Sequence, residues 1–187
     1  MSEARDRLLA ATVDWVAAHG FTDLRLRTLA EAIGTSHRML VYHFGSKEGL
    51  LAEVVATVEA RQRRVLEELA GAELPPRVAL RAFWADVASE ERREHVRLFF
   101  ELVAWASSGR PGTEGLRATL VEPWIEVVAA QGVARGLSLE EARTQARLGM
   151  AVTRGLLVDL LATGDRAGTD AAMDAFLDAF LPPDDHA

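Results

Sequence analysis

The apolar residues of this chain recur at helical spacing along almost all of its 187 positions. Near the start, Leu9, Val13 and Val16 are separated by four and then three positions, which places them on one face of a helix. The same spacing continues in segments separated by short connectors that contain glycine or proline, and there are no internal repeats or low-complexity tracts. The sequence therefore predicts an all-α protein.

Capping residues and turn residues divide the chain into about nine predicted helices. Ser2 can cap the first helix, and Gly20 supplies the left-handed residue that ends it. Ser138 and Glu141 form a capping-box pattern, so the helix that begins there has the best-defined start. The predicted helices cover residues 3–19, 26–33, 37–44, 46–69, 77–88, 91–106, 114–131, 139–162 and 170–181.

Length and composition narrow the class of protein further. With 49% hydrophobic residues, the chain can bury one small module and one larger domain. The absence of cysteine excludes disulfides, thiolate metal sites and cysteine nucleophiles. The charged N-terminus lacks a signal-peptide run, and no stretch approaches the length of about 18 unbroken apolar residues that a membrane helix needs. We therefore expect a cytoplasmic protein with no membrane partner.

Positive charge is concentrated in one short part of an otherwise acidic chain. The formal net charge is -7, which argues against indiscriminate coating of nucleic acid. From Arg25 to Lys47, however, four basic residues stand against the single acidic residue Glu31. Any DNA binding is therefore expected to be local to this segment.

This basic segment has the layout of a helix-turn-helix. Two short predicted helices, Leu26 to Ile33 and His37 to Phe44, are joined by a turn that contains Gly34. In such an arrangement the first helix braces the second, and the second enters a DNA major groove about 12 Å wide. The pattern therefore predicts a sequence-specific DNA-binding head.

The sequence around this motif resembles the TetR family of bacterial transcription regulators. The resemblance rests on GF at 20–21, RTLAEAIGTS at 27–36 and LVYHFGSKEGLL at 40–51, so it covers roughly the first 50 residues. It implies a three-helix DNA-binding domain at residues 1–50 and a helical-bundle domain for effector binding and dimerisation at residues 51–187. It also implies a homodimeric, ligand-responsive repressor that binds a pseudo-palindromic double-stranded operator without a cofactor.

The resemblance assigns expected DNA contacts position by position. Arg27 and Thr28, near the start of the bracing helix, would bind phosphates. Lys47 would also bind a phosphate, because the dipole of the long helix that begins there favours an anion. From Ser36 onward the recognition helix would bring side chains within reach of base edges, and its later aromatic positions would contact backbone and bases. The expected DNA-binding residues are Arg27, Thr28, Ser36, His37, Arg38, Met39, Tyr42, His43 and Lys47.

Two residues depart from the family pattern, and the composition limits which residue can contact a base. Arg25 stands where a Ser or Thr often caps the bracing helix, which is expected to weaken that cap by about 1 kcal/mol unless Thr22 or Asp23 caps an earlier start. Val41 replaces a frequent aromatic residue, and this change is expected to affect packing more than DNA readout. Asparagine, a usual reader of adenine, is absent from the chain, so Arg38 facing guanine is the expected base contact.

Aromatic residues are concentrated in the middle helices, which indicates an effector pocket. Aromatic walls with a few polar groups suit an apolar or amphipathic small molecule. Ordinary core packing is the alternative for each of these residues taken alone, because aromatic residues at helical spacing are commonly buried. The expected pocket residues are Phe83, Trp84, Phe99, Phe100, Trp105, Trp124, Met150 and Arg154.

The last two predicted helices carry stripes that suit a dimer interface. Small residues on one would let another helix approach closely, and large apolar residues recur at helical spacing on the other. Together they would form a four-helix interface across a two-fold axis, although closing the monomer core is a serious alternative for either stripe. The expected interface residues are Ala142, Ala146, Gly149, Thr153, Met173, Phe176, Leu177 and Phe180.

The sequence gives weaker support to two other functions, an enzyme and a helical scaffold. An enzyme is disfavoured because the chain has no Gly-rich phosphate loop, no HExxH and no GxSxG pattern, and no catalytic residue is expected. A helical scaffold with a helix-turn-helix corner would leave the basic residues on a solvated face and would not bind DNA. Glu91 and His95, four positions apart, are expected on a solvated face rather than around a metal.

Overall fold

The computed structural model describes residues 3–21, 23–71, 74–109, 111, 113 and 116–181. This part of the chain is helical and contains no strand, which confirms the all-α prediction. Its helices are α1 (Glu3–His19), α2 (Leu26–Ala32), α3 (His37–Phe44), α4 (Lys47–Gly71), α5 (Pro76–Val87), α6 (Arg93–Ser107), α7 (Leu116–Leu120), α8 (Glu122–Ala134), α9 (Leu139–Thr163) and α10 (Arg166–Phe180). A short 3-10 turn, Glu90–Arg92, precedes α6. Among the described helices, none is long and apolar enough to cross a membrane.

Side-chain caps fix the starts of three helices, at or within one residue of the starts that the sequence predicts. The hydroxyl of Ser36 accepts the backbone N–H of Met39 at 3.2 Å. Ser46 accepts the N–H of Gly49 at 3.0 Å at the start of α4. Ser138 forms the full capping box at the start of α9. These caps depend on residues three positions apart, so local sequence is sufficient to predict them. The predicted cap at Ser2 lies outside the described residues.

One predicted helix, over residues 114–131, is wrong because a helix boundary falls inside it. The chain leaves helical geometry at Val121, and α8 begins at the next residue. Pro123 explains the break, because proline has no N–H to donate to a preceding turn and is tolerated only in the first turn of a helix. Residues 114 and 115 lie outside the described part.

The last helix begins earlier than the predicted start at residue 170. Asp165 is its N-cap, and the side chain accepts the N–H of Gly168 at 2.8 Å. The hydroxyl of Thr169 accordingly lies inside the helix and donates to the carbonyl of Asp165 at 3.0 Å. The connector predicted between the helices at 139–162 and 170–181 is therefore too long, because Asp165 caps a helix that begins inside it.

The described residues pack as two compact units. The first contains those of residues 1–60 and 91–120, and the second contains those of residues 61–90 and 121–181. In the first unit α2 packs on α3, and α1 packs on α6. In the second unit α9 packs on α8 and α10, while α10 also contacts α5. The division into domains 1–50 and 51–187 stays a prediction.

Small residues bring α8 and α9 close together in the second unit. Ala142 and Ala146 are buried against Ile125 and Ala129. At Gly132 an added Cβ would come within 2.9 Å of the Cβ of Ala142, so the crossing has no room for a side chain there. Ala142 and Ala146 of the small-residue stripe of α9 therefore pack against a helix of their own chain.

Asp170 joins α5 and α10 in the second unit. Its Oδ1 accepts the indole N–H of the buried Trp84 at 2.6 Å and the Nε–H of Arg166 at 2.9 Å. Arg81 donates to the same oxygen at 3.4 Å, and Arg166 also donates to the carbonyl of Ala88 at 2.6 Å. Partial burial raises the pKa of Asp170, but the hydrogen bonds from Trp84 and Arg166 outweigh it and hold that pKa below its ordinary range.

Candidate nucleic-acid interface

The helix-turn-helix is held together by a tight turn and a small core. Gly34 adopts φ +70°, a left-handed conformation that favours glycine, and the N–H of Thr35 returns to the carbonyl of Ala30 at 2.8 Å. Leu29 of α2 and Leu40 of α3 are fully buried. Burial of one face of each short helix leaves the opposite face of α3 turned to solvent.

Most of the predicted DNA-binding side chains lie on solvent-exposed surface. The exposed ones are Arg27, Thr28, Ser36, His37, Arg38, Met39 and Tyr42. On α3, Arg38 and Tyr42 are four residues apart, which places them on one ridge opposite Leu40. Tyr42 is 78% exposed, the largest exposure among the large hydrophobic side chains of the described part. A side chain so exposed to water contributes little to the core, so Tyr42 is available to contact a partner.

The other two predicted contacts, His43 and Lys47, are partly buried. Lys47 is the first residue of α4, directly after the capping serine, where unpaired backbone N–H groups favour an anion. The His43 ring lies 5.0 Å from the ring of Tyr42, and its Nε2 has no hydrogen-bond partner among the described residues. The DNA-binding role of all nine residues stays a prediction.

Arg5 is a supporting residue that the sequence did not single out. Its guanidinium pairs with Glu53 of α4 at 2.8 Å and lies 5.1 Å from the ring centroid of Phe44, at the end of α3. One side chain of α1 thus contacts α3 and α4, two of the three helices that carry predicted DNA contacts. The sequence does not indicate this supporting role of Arg5, because basic residues near the charged start of a helix are usually solvated.

Val41 lies at the surface of α3, and the expectation that it affects packing more than DNA readout stays a prediction. Val41 is 38% exposed, whereas the buried residues of α3 are Leu40 and Phe44. The cap of α2 fits its expected weakness, because Arg25 is the N-cap and makes no side-chain capping hydrogen bond.

The predicted pocket residues are divided between the two units. Phe99, Phe100 and Trp105 lie on α6 of the first unit, and the remaining five lie on α5, α8 and α9 of the second. Within the second unit the rings of Phe83 and Trp124 lie 5.6 Å apart, and the guanidinium of Arg63 lies 5.8 Å from the Trp124 ring. Trp84 has its N–H committed to Asp170. The pocket itself stays a prediction.

The predicted dimer residues fall into two groups by burial. The buried ones are Ala142, Ala146, Met173 and Leu177, and those that retain accessible surface are Gly149, Thr153, Phe176 and Phe180. The ring of Phe176 lies beside Gly149 and 4.9 Å from the ring of Phe180. The interface stays a prediction, and the second group has surface that a partner helix can contact.

The expectation of a solvated face around His95 is wrong. His95 is buried in α6, while Glu91 is exposed in the preceding 3-10 turn. The spacing of four positions predicted that both residues lie on one solvated helix face, but only Glu91 is exposed to solvent. In the described part of the chain, no group of three or more His, Cys, Asp or Glu residues could hold a metal ion.

Comparisons with known proteins agree with the resemblance in the N-terminal segment. Residues 8–54 match the sequence profile of the bacterial regulatory proteins of the tetR family. Over 47 residues the chain is 45% identical to the HTH-type transcriptional regulatory protein RaaS of Mycobacterium tuberculosis, which is 25% of this chain and 22% of RaaS. The chain therefore matches less than a quarter of that relative's length.

The fold extends the similarity over nearly the whole chain. A candidate TetR-family transcriptional regulator from Rhodococcus sp. superposes with a TM-score of 0.72 and 25% identity, covering 96% of this chain and 98% of that one. A TetR transcriptional regulator from Legionella pneumophila gives a TM-score of 0.68 at 20% identity, covering 94% of this chain and 98% of that one. A TetR-family regulator from Pectobacterium atrosepticum gives 0.71 at 20% identity, with 96% and 92% covered.

Proposed function

We propose that the chain is a ligand-responsive repressor that acts as a homodimer, because residues 8–54 match the profile of the tetR family and the fold is similar to that of TetR-family transcription regulators. Each protomer places α3 in a major groove of a pseudo-palindromic operator, with the two recognition helices about 34 Å apart. The protein acts in the cytoplasm and performs no catalysis. Effector binding lowers the affinity for the operator.

The exposed basic face of the helix-turn-helix is the observation that carries this proposal. Buried Leu40 and Phe44 hold α3 against the rest of its unit, so Arg38 and Tyr42 point away from the core. Between Arg25 and Lys47 the net charge is +3, from four basic residues and one acidic residue, in a chain of net charge -7. Local positive charge on a short exposed helix is what groove binding needs, because phosphate contacts position the helix and base contacts specify the site.

Apolar surface on the last two helices supports the homodimer. On α9, Leu148 and Val158 are exposed, and α10 exposes Phe180. Small residues with accessible surface, Ala151 and Gly155, lie between the two exposed residues of α9. A second copy that contacts this surface would bury it across a two-fold axis. The dimer in turn spaces the two recognition helices.

The effector is proposed to be an apolar or amphipathic small molecule bound by the aromatic helices. In the second unit the rings of Phe83 and Trp124 supply apolar surface, and Arg63 supplies a charged group beside Trp124. The continuous helix α4 links the phosphate contact at Lys47 to this unit, since it runs unbroken to Gly71. An effector can shift the DNA-binding equilibrium only by its difference in affinity for the two states of the protein.

Replacing Lys47 by alanine is expected to weaken binding to all DNA sequences alike. If Lys47 neutralises one phosphate per protomer, the slope of log affinity against log salt falls by about one for each protomer. Fluorescence anisotropy at several salt concentrations, with upstream-region and random-sequence duplexes, measures both quantities. The wild-type protein should bind one upstream fragment more tightly than random DNA.

Arg135→Ala is the matched control for this experiment. Arg135 is an exposed cation at the end of α8, in the second unit, and its removal changes the net charge by the same amount. An unchanged salt slope in the control separates a local phosphate contact from an effect of overall charge. Wild-type protein that binds no DNA at low salt would refute the regulator and leave the helical scaffold.

Replacing Val158 by glutamate is expected to convert the dimer to a monomer. A charge at a buried interface position loses its hydration without gaining a partner. Analytical ultracentrifugation measures the change in mass. Val78→Glu is the control, because Val78 of α5 is 48% exposed against 47% for Val158. A wild-type protein that sediments as a monomer, or equal dissociation in both variants, would refute this interface.

A further inference from the structure

The recognition helix α3 exposes an unusual amount of apolar surface. Ten large hydrophobic side chains are exposed in the described part of the chain, and three of them lie within this eight-residue helix. They are Met39, 39% exposed, Val41, 38% exposed, and Tyr42. Clustered exposed apolar side chains mark a surface that a partner covers.

The positions of these side chains on the helix are informative. At about 100° per residue, Arg38 and Tyr42 form a ridge opposite the buried residue Leu40. Met39 and Val41 lie about 80° to either side of the midline of that ridge, on opposite flanks. A partner surface that contacts Arg38 at the centre therefore meets an apolar side chain on each side.

The charge around this face identifies the partner as double-stranded DNA, so the inference rests on the proposed function. Arg25, Arg27 and Arg38 are exposed in the same motif. In a major groove the apolar group on the base edges is the C5-methyl of thymine, since the other edge groups are hydrogen-bond donors and acceptors. An apolar side chain in that groove gains most from a contact with this methyl.

We propose that Met39 and Val41 read the methyl groups of thymines that flank the base pair facing Arg38. Arg38 supplies hydrogen bonds to one base pair, while the two apolar side chains select thymine over cytosine on its flanks. Cytosine lacks the methyl and presents an N4 amino group, which loses water against an apolar side chain without gaining an acceptor. Val41 is thereby assigned a role in specificity, whereas the sequence alone suggested a role mainly in packing.

Replacement of thymine by deoxyuridine tests this inference directly, because it removes the methyl and keeps base pairing. The operator is first selected from a randomised duplex library with the full-length protein. Each thymine of the selected site is then replaced in turn, and Kd is measured by fluorescence anisotropy. We expect Kd to rise about fourfold at one or two thymines of each half-site, the factor for burying one methyl-sized group.

Variants of the helix assign each methyl to its reader. Met39→Ala and Val41→Ala should each bind the thymine and uracil forms of one position with nearly equal affinity. Both residues are exposed, so the variants are expected to fold, and circular dichroism checks this. Val133→Ala, which truncates a comparably exposed valine of α8, should retain the full preference for thymine.

The outcomes separate this inference from the proposed function. A selected operator that tolerates uracil at every thymine, or that has no thymine beside the position read by Arg38, would overturn the roles of Met39 and Val41 and leave the regulator standing. The same holds if both variants keep the wild-type preference for thymine. If the library yields no enriched sequence, the proposed function itself fails.

Discussion

Replacing Asp170 by alanine is expected to lower the free energy of unfolding by about 3 kcal/mol, the largest change in stability that we predict. One carboxylate oxygen accepts hydrogen bonds from Trp84, Arg166 and Arg81. Trp84 is 1% exposed, so its indole N–H would lose its partner without access to water. Urea denaturation followed by circular dichroism measures the loss.

Two variants separate the buried hydrogen bond from the ion pairs. Asp174 pairs with Arg81 at 2.9 Å on the surface, and Asp174→Ala should cost less than about 1 kcal/mol. Asp170→Asn keeps an acceptor for Trp84 but removes the charge, so its loss should lie between those of the two alanine variants. If Asp170→Ala costs no more than Asp174→Ala, the hydrogen bond from Trp84 does not contribute as we infer.

The same carboxylate gives the stability a pH dependence with a defined sign. The folded-state pKa of Asp170 is below its ordinary value. Its contribution to stability is therefore complete above the unfolded-state pKa and is lost as the pH falls through the lower, folded-state pKa. The difference in unfolding free energy between wild type and Asp170→Asn should shrink on acidification.

Replacing Arg38 by alanine is expected to weaken operator binding by about 1–3 kcal/mol, which is roughly 5- to 150-fold. Arg38 lies on the outer ridge of α3, and its bidentate hydrogen bonds to guanine would discriminate among base pairs. The loss should be larger on the operator than on random DNA, where binding falls only through the loss of one charge per protomer. Competition assays with all four base pairs at the contacted position measure the relaxed specificity.

Lys47→Ala provides the comparison, because a phosphate contact carries no sequence information. Arg38→Ala should flatten the preference at one base pair, whereas Lys47→Ala should leave the preference intact and lower all affinities. Equal losses on operator and random DNA for both variants would refute the assignment of Arg38 to a base. It would leave both residues as phosphate contacts.

Local sequence was sufficient for most of the helices and for the position of the helix-turn-helix motif. The caps at Ser36, Ser46 and Ser138 and the turn at Gly34 depend on interactions within about five residues. The errors at 114–131 and 163–169 were also local. Pro123 marks the first boundary by its helix-breaking chemistry and Asp165 marks the second as a cap, whereas apolar spacing alone shows neither boundary.

Tertiary structure alone decided which faces of those helices are buried. The spacing of Ala142 and Ala146 fitted a dimer interface as well as a core, and packing against α8 places them in the core of one chain. The hydrogen bond from Trp84 to Asp170 joins residues 86 positions apart. The exposure of Val41 likewise depends on what packs around α3. Helical spacing defines the faces of a helix, but burial depends on contacts between segments distant in sequence, so only the folded chain determines it.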